Sequence, residues 1–314
     1  MMKIVFFGTP DFAAPALRDL HADPEVEVLT VVTAPDKPAG RGRQLRPSHL
    51  SALASELGIP CLKPSSLKDE TFLNQLRDLG ADLFVVIAFR KLPKVVWNMP
   101  PRGTFNVHGS LLPDLRGAAP IQWAIAHGDQ HTGVTSFLIN ENIDEGAILD
   151  VIRIELDANA TVGSIYAELS ELASELCIRT IKGIFNGSYS PRNQQSSEEL
   201  RVAPKIDKVF SELDGLSSAW DIHNRIRACD PFPGASLPCP DDNSLRIKVY
   251  DSLFDQKSTS DDRGVALEIT DDAMRIHAPG GQCLIGEIQY PGKKKMAVKD
   301  FLRGYRTRGI FEFN

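Results

Sequence analysis

The stretch Thr71–Ala88, TFLNQLRDLGADLFVVIA, carries the fold class in miniature. Thr71–Leu79 reads as a helix ended by Gly80, and Asp82–Ala88 as a strand buried on both faces. The same alternation extends outward. Upstream lie a strand at Lys3–Phe7, a helix at Ala13–Leu20 after the start signal Thr9-Pro10-Asp11, and a β-branched strand at Val26–Thr33. A helix at Ser48–Leu57, ended by Gly58, and a short strand at Ile59–Leu62 follow. Downstream come a strand at Gly103–His108, a helix at Ala118–His127, strands at Val134–Leu138 and Ile148–Leu156, and a long helix at Thr161–Phe185. Short strands alternating with helices predict an α/β domain with a doubly wound, largely parallel sheet.

The texture changes near Asn186. Asn186–Glu199 is polar and rich in Ser, Asn and Gln, as a linker is. Beyond it, Ala219–Ala228 reads as a helix. Strand candidates then crowd together at Leu245–Tyr250, Gly264–Ile269, Met274–His277 and Gln282–Tyr290, with turn signals between them. That is the pattern of a small C-terminal β-barrel. The expected division is a domain over 1–186, a linker over 187–204 and a barrel over 205–314.

The chain has 314 residues, enough for two cores, and 42% apolar with 24% charged residues is ordinary for a soluble protein. No apolar run approaches the roughly 20 residues that cross a bilayer, and the N-terminus reads as a first strand. The five cysteines form no CxxC pair, so neither zinc nor a disulfide framework is indicated, and a cytoplasmic setting is the simplest. The net charge of −6 opposes general nucleic-acid coating, although an average can hide basic patches.

Asn106-Val107-His108-Gly109-Ser110-Leu111-Leu112-Pro113 holds the most chemistry. Strand alternation sets Asn106 and His108 on one face, at the carboxyl end where open α/β sheets gather ligands. An amide donor can serve a developing oxyanion and an imidazole can move an amine proton, as acyl transfer requires. On spacing alone, a solvated strand end is the stronger reading of the same pair. Asp144, in Ile143-Asp144-Glu145-Gly146, could orient His108, but spacing cannot bring them together. Gly8-Thr9-Pro10 lacks the GxGxxG pattern, and a tight turn fits it better than a dinucleotide site.

Pro35–Ser48 carries Lys37, Arg41, Arg43 and Arg46 against one acid, Asp36, with Gly40 and Gly42 between. It reads as a loop that orders on phosphates, or as a solvated loop. Lys293, Lys294 and Lys295, with Lys299, Arg303, Arg306 and Arg308, form a second basic region. Two basic regions on an acidic protein suggest a polyanionic partner.

Together these residues resemble the methionyl-tRNA formyltransferase family. The likeness runs through Phe7–Ala13, Pro35–Ser48, Asn106–Pro113, Arg116–Ile121, Thr132–Thr135 and Asp144 with Gly146, and more weakly through Ile226-Arg227, Pro231-Phe232-Pro233 and Gly292-Lys293-Lys294. Two departures stand out. Ala88-Phe89-Arg90 replaces an Ala-Tyr-Gly opening common in the family, and Glu145 stands where Thr is common. The resemblance implies a Rossmann-like formyltransferase domain at 1–186 that binds folate and carries catalysis. It also implies an OB-like, tRNA-binding barrel at 205–314. It implies 10-formyltetrahydrofolate as donor co-substrate and the amino group of methionyl initiator tRNA as acceptor, in translation initiation. Asn106, His108 and Asp144 would be catalytic, and Ser110, Leu111, Leu112 and Pro113 would bind folate. Lys37, Arg41, Arg43, Arg46, Lys293, Lys294 and Lys295 would meet tRNA. No metal, membrane or obligate protein partner is implied. The rival readings are a folate-dependent formyltransferase acting on an amino-sugar nucleotide, a formyl-folate hydrolase, and a non-catalytic RNA-binding protein.

Overall fold

The computed structural model describes residues 1–39, 44–195, 199–256 and 264–313. They form two compact units. Unit 1 comprises Met1–Gly117, Thr132–Ile154 and Tyr166–Val202; unit 2 comprises Ala118–His131, Glu155–Ile165 and Ala203–Asn314.

Unit 1 is built on a sheet of seven strands: β1 (Met2–Gly8), β2 (Val26–Val32), β3 (Cys61–Leu62), β4 (Leu83–Ile87), β5 (Thr104–His108), β6 (His131–Leu138) and β7 (Ile148–Glu155). Their spatial order is β7-β6-β5-β4-β1-β2-β3. The neighbours from β3 through β5 pair in parallel, and β6 runs antiparallel to β5. The parallel part is the doubly wound order, with β1 central. Ile4–Phe7 and Leu83–Ile87 are buried throughout, which accounts for their unbroken apolar sequence. Phe7 packs on Phe84 at 5.3 Å between ring centroids.

Helices Ala14–Ala22, His49–Glu56 and Glu70–Asp78 form within a few residues of the expected spans. Ser48 and Asp69 cap the last two, accepting from the Ser51 and Phe72 N–H groups. The turn after β1 is tied to the long helix Val162–Asn186: the Tyr166 hydroxyl accepts the Phe12 N–H and donates to Asp11, and Ser170 donates to the Phe12 carbonyl. This matches the reading of Gly8-Thr9-Pro10 as a turn.

Where the sequence reads as a loop, Lys37–Ala39 and Gln44–Arg46 pair as a short antiparallel ribbon. Proline and charged residues are poor strand formers, so composition concealed it. Arg41 and Arg43 lie outside the described residues. In the expected linker, Arg192 exchanges two backbone hydrogen bonds with Ile148 of β7 (2.8 and 2.9 Å), and the Arg201 carbonyl accepts the Leu115 N–H.

Unit 2 holds an antiparallel half-barrel of seven strands: β8 (Ala235–Cys239), β9 (Asp242–Asp255), β10 (Ala266–Ile269), β11 (Met274–Ala278), β12 (Gly281–Gln289), β13 (Met296–Ala297) and β14 (Gly309–Glu312). The path is β8-β9-β12-β11-β10-β14, with β13 on β12. Helix Ala219–Cys229, capped by Ser218, buries Ile222 and Ile226. Strands β8, β13 and β14 were not expected. β8 contains Pro238, which breaks the strand signal but is tolerated at the end of the path. Among the described residues no helix is long and apolar enough to cross a membrane.

A charged cluster joins β7 to the long helix and the segment after it. Asp150 accepts from Arg179 Nε (2.6 Å), the Tyr189 hydroxyl (2.8 Å) and the Val151 N–H (2.8 Å). Burial pushes its carboxyl upward, but these donors override it and hold the pKa below the usual carboxylate value. A depressed folded-state pKa stabilises above the unfolded value, and the gain is lost as pH falls through the folded one. Asp150→Asn should therefore cost about 1–3 kcal/mol in urea denaturation near neutral pH. The gap from wild type should close as pH falls below the usual carboxylate range.

Candidate active site

Strand β5 is held on both sides. Asn106 is registered between Val86 of β4 and Phe137 of β6, and His108 faces Thr135. Two residues apart, their side chains leave one face at the carboxyl end. Asn106 Oδ1 is buried without a hydrogen-bond partner, and its Nδ2 makes no hydrogen bond among the described residues. Its amide is therefore uncommitted.

His108 is 7% exposed. Its Nε2 lies 3.0 Å from the Leu115 carbonyl. A carbonyl only accepts, so Nε2 carries the proton in that bond. Nδ1 faces Asp144 Oδ2 at 3.9 Å. The structure thus brings Asp144 beside His108, which spacing alone could not foresee. The Asp144 backbone is left-handed, at φ 55°, a conformation costing an L-residue roughly 1–2 kcal/mol. Its Oδ2 also accepts the Gly117 N–H at 3.0 Å. Gly146 follows where no side chain fits, since a Cβ there would lie 1.5 Å from the Leu138 carbonyl oxygen.

Ser110–Pro113 forms the loop after β5. Ser110 is buried, and its hydroxyl donates to the Asp114 carbonyl at 2.8 Å. Thr135 Oγ1 donates to the Ser110 carbonyl (2.6 Å) and accepts the Leu112 N–H (3.1 Å). Leu112 packs with Phe137 and Ile148, while Leu111 and Pro113 remain half-buried. Arg201 grips this loop: its N–H and Nε reach the two Asp114 carboxylate oxygens at 2.8 and 3.0 Å, and its Nη2 bonds Oδ2 as well. Burial raises the Asp114 carboxyl, but Arg201 overrides it and leaves the pKa lowered.

Both departures from the family pattern acquire partners. Arg90 donates to the Ser65 and Pro64 carbonyls (3.1 and 2.6 Å), and Phe89 packs edge-on to Phe7 at 5.7 Å. Glu145 accepts from Arg116 (3.0 Å) and Asn142 (2.9 Å). Sequence reasoning passed over Arg116 as a site residue and missed Gln194 and Arg201. Their only signal was a polar stretch that read as a linker.

The cationic candidates divide. Lys37 and Arg46 are exposed and directly opposite in the short ribbon. Neither has an ion-pair partner among the described residues, and Asp36 is taken by Lys63 at 2.8 and 2.9 Å. Thr33 and Ser48 hydroxyls, 2.8 Å apart, join the ribbon's base. In unit 2, Lys293 and Lys294 are exposed after the turn at Gly292. Lys295 instead pairs with Glu287 (2.5 Å) and lies 3.8 Å from Asp230. Among the described residues, no group of three or more His, Cys, Asp or Glu is arranged to hold a metal ion.

Comparison with known proteins places both parts of the chain in known families. The family described as "Formyl transferase" matches residues 2–181, and "Formyl transferase, C-terminal domain" matches 205–306. A methionyl-tRNA formyltransferase of Bacteroides thetaiotaomicron is 38% identical over 318 residues, covering 100% of this chain and 98% of that protein. WlaRD, a sugar 3N-formyl transferase solved in the presence of dTDP and 5-N-formyl-THF, is 20% identical with a TM-score of 0.68, covering 94% of this chain and 99% of that one. A substituted variant of HypX from Aquifex aeolicus is 20% identical with a TM-score of 0.64, covering 98% of this chain. This chain spans about half of that protein's length, 48%. At such identities the solved structures show a shared fold. Full-length identity and two matching domains go further: the chain belongs to the methionyl-tRNA formyltransferase family.

Proposed function

We propose that the protein is a cytoplasmic methionyl-tRNA formyltransferase of translation initiation. It moves the formyl group of 10-formyltetrahydrofolate to the free amine of methionine esterified to initiator tRNA. The observation that carries this reading is the uncommitted Asn106 amide beside a buried His108, faced by Asp144, at the carboxyl end of β5.

The amine attacks the formyl carbon, forming one C–N bond and an oxyanion, and the bond to N10 of the folate then breaks. Asn106 Nδ2, with no hydrogen bond among the described residues, donates to the oxyanion. The amine gives up a proton and N10 gains one. His108 Nδ1 is the ring position open to that proton, because Nε2–H is held by the Leu115 carbonyl. Asp144, 3.9 Å from Nδ1, stabilises the imidazolium that forms when Nδ1 takes the proton. No covalent enzyme intermediate is needed. The Ser110 hydroxyl is spent inside its own loop, so Leu111 and Pro113 offer folate their surface and Ser110 and Leu112 keep the loop's shape.

The acceptor reading rests on Lys37 opposite Arg46. Like charges directly across a ribbon are destabilising, and a phosphate between them removes that cost. Arg41 and Arg43, outside the described residues, would also meet tRNA phosphates, and Lys293 and Lys294 would offer a second surface. Lys295 is neutralised within unit 2 and contributes less.

His108→Ala should lower turnover by about 10²–10⁴, and Asn106→Ala by about 10²–10³. Circular dichroism should show both folded. Near-native formylmethionine production by either folded variant would remove that residue from the mechanism.

Replacing Lys37 and Arg46 together by Ala should raise KM for charged initiator tRNA roughly tenfold at physiological salt. The slope of log K against log salt should flatten by about 1.4–1.8, at 0.7–0.9 per phosphate contact. Thermal stability should hold or rise, because a repulsion has gone. An unchanged KM and salt slope, with good transfer to an amino-sugar nucleotide, would assign the protein a small acceptor.

A further inference from the structure

Asp144 is anchored through its side chain by Gly117, but its backbone is held from far along the chain. Gln194 lies fifty residues on, in the stretch that reads as a linker. Its Nε2 donates to the carbonyls of Asp144 and Gly146, each at 2.8 Å. Its Oε1 accepts from Arg116 Nε at 3.1 Å and Nη2 at 2.7 Å. A side-chain amide has two N–H donors and two lone pairs, so every position is used. Turning the amide over would set its oxygen against two carbonyls and its NH₂ against a guanidinium. The orientation is therefore fixed by chemistry. Arg116 Nη1 continues to Glu145, which also takes Asn142. Three successive residues, Asp144, Glu145 and Gly146, are thus bound to one connected network.

We propose that Gln194 and Arg116 are positioning residues that lock the left-handed Asp144 turn so that its carboxylate faces His108. By this reading, the segment that looks like a linker supplies part of the catalytic apparatus. The inference rests on the proposed role of Asp144. The competing explanation is tethering, in which Gln194 merely fastens its own segment to unit 1. Arg192 and Arg201 already do that through Ile148, Leu115 and Asp114.

Two substitutions in the full chain separate these explanations. Gln194→Glu has the same shape and keeps its acceptor toward Arg116, but turns a carboxylate oxygen toward the Asp144 and Gly146 carbonyls. Gln194→Ala removes both sides of the network. Under tethering, Glu is tolerated. Under positioning, Glu and Ala should both lower kcat by about 10- to 100-fold, as displaced supporting groups do. KM for charged tRNA should stay within about twofold, because no tRNA contact is removed. Exchange of the Gly117 amide, which donates to Asp144 Oδ2, should quicken about tenfold or more in both variants. Amides of β4 should keep their protection and certify the fold. Unchanged kcat and Gly117 exchange in Gln194→Glu would overturn the proposal. Should the wild-type protein transfer no formyl group, the functional reading falls, while Gly117 exchange still decides whether Gln194 holds Asp144.

Discussion

Pairing on both edges of β5 is the constraint on which the site depends. A strand with parallel bonds to β4 and antiparallel bonds to β6 can neither slide nor twist locally. A one-residue slip would carry Asn106 and His108 to the opposite face. The apolar strands around it supply the rigidity, since β1 and β4 are buried along their whole central length. The polar chemistry begins where this apolar support ends.

Beyond β5 the site is irregular backbone, fastened by side chains one bond at a time. Thr135 serves two backbone groups of the loop after β5 at once. Arg201 holds Asp114 in that loop, and the neighbouring Leu115 carbonyl holds His108. The strained φ of Asp144 persists because its carbonyl, its carboxylate and the glycine two residues later are each engaged. Such a network is stable when complete, and a partner removed leaves buried polar groups exposed to a medium that cannot solvate them.

Much of this was legible in the sequence. Continuous apolar runs at Lys3–Phe7 and Asp82–Ala88, and glycine stops at Gly58 and Gly80, located strands and helices to within a few residues. The strand-end placement of Asn106 and His108 followed from alternation alone, and family likeness added Asp144. What stayed hidden was tertiary. The backbone pairing at Lys37–Ala39 and Gln44–Arg46 opposes local propensity, and Pro238 masks β8. Gln194 and Arg201 sit in a stretch without apolar periodicity, so nothing local showed that their side chains reach across unit 1. Hydrophobic patterning reports which residues are buried, but not which polar groups find each other.

The contacts of residues 187–202 bear on how the chain can be dissected. A fragment cut at the last turn of the long helix, near Asn186, would retain every strand of the β1–β7 sheet. It would lose Tyr189 from Asp150, Arg192 from the edge of β7, Gln194 from the turn and Arg201 from Asp114. Such a piece would be a scaffold with its wiring removed. A truncation meant to keep these contacts has to run on through Val202, the last residue of unit 1.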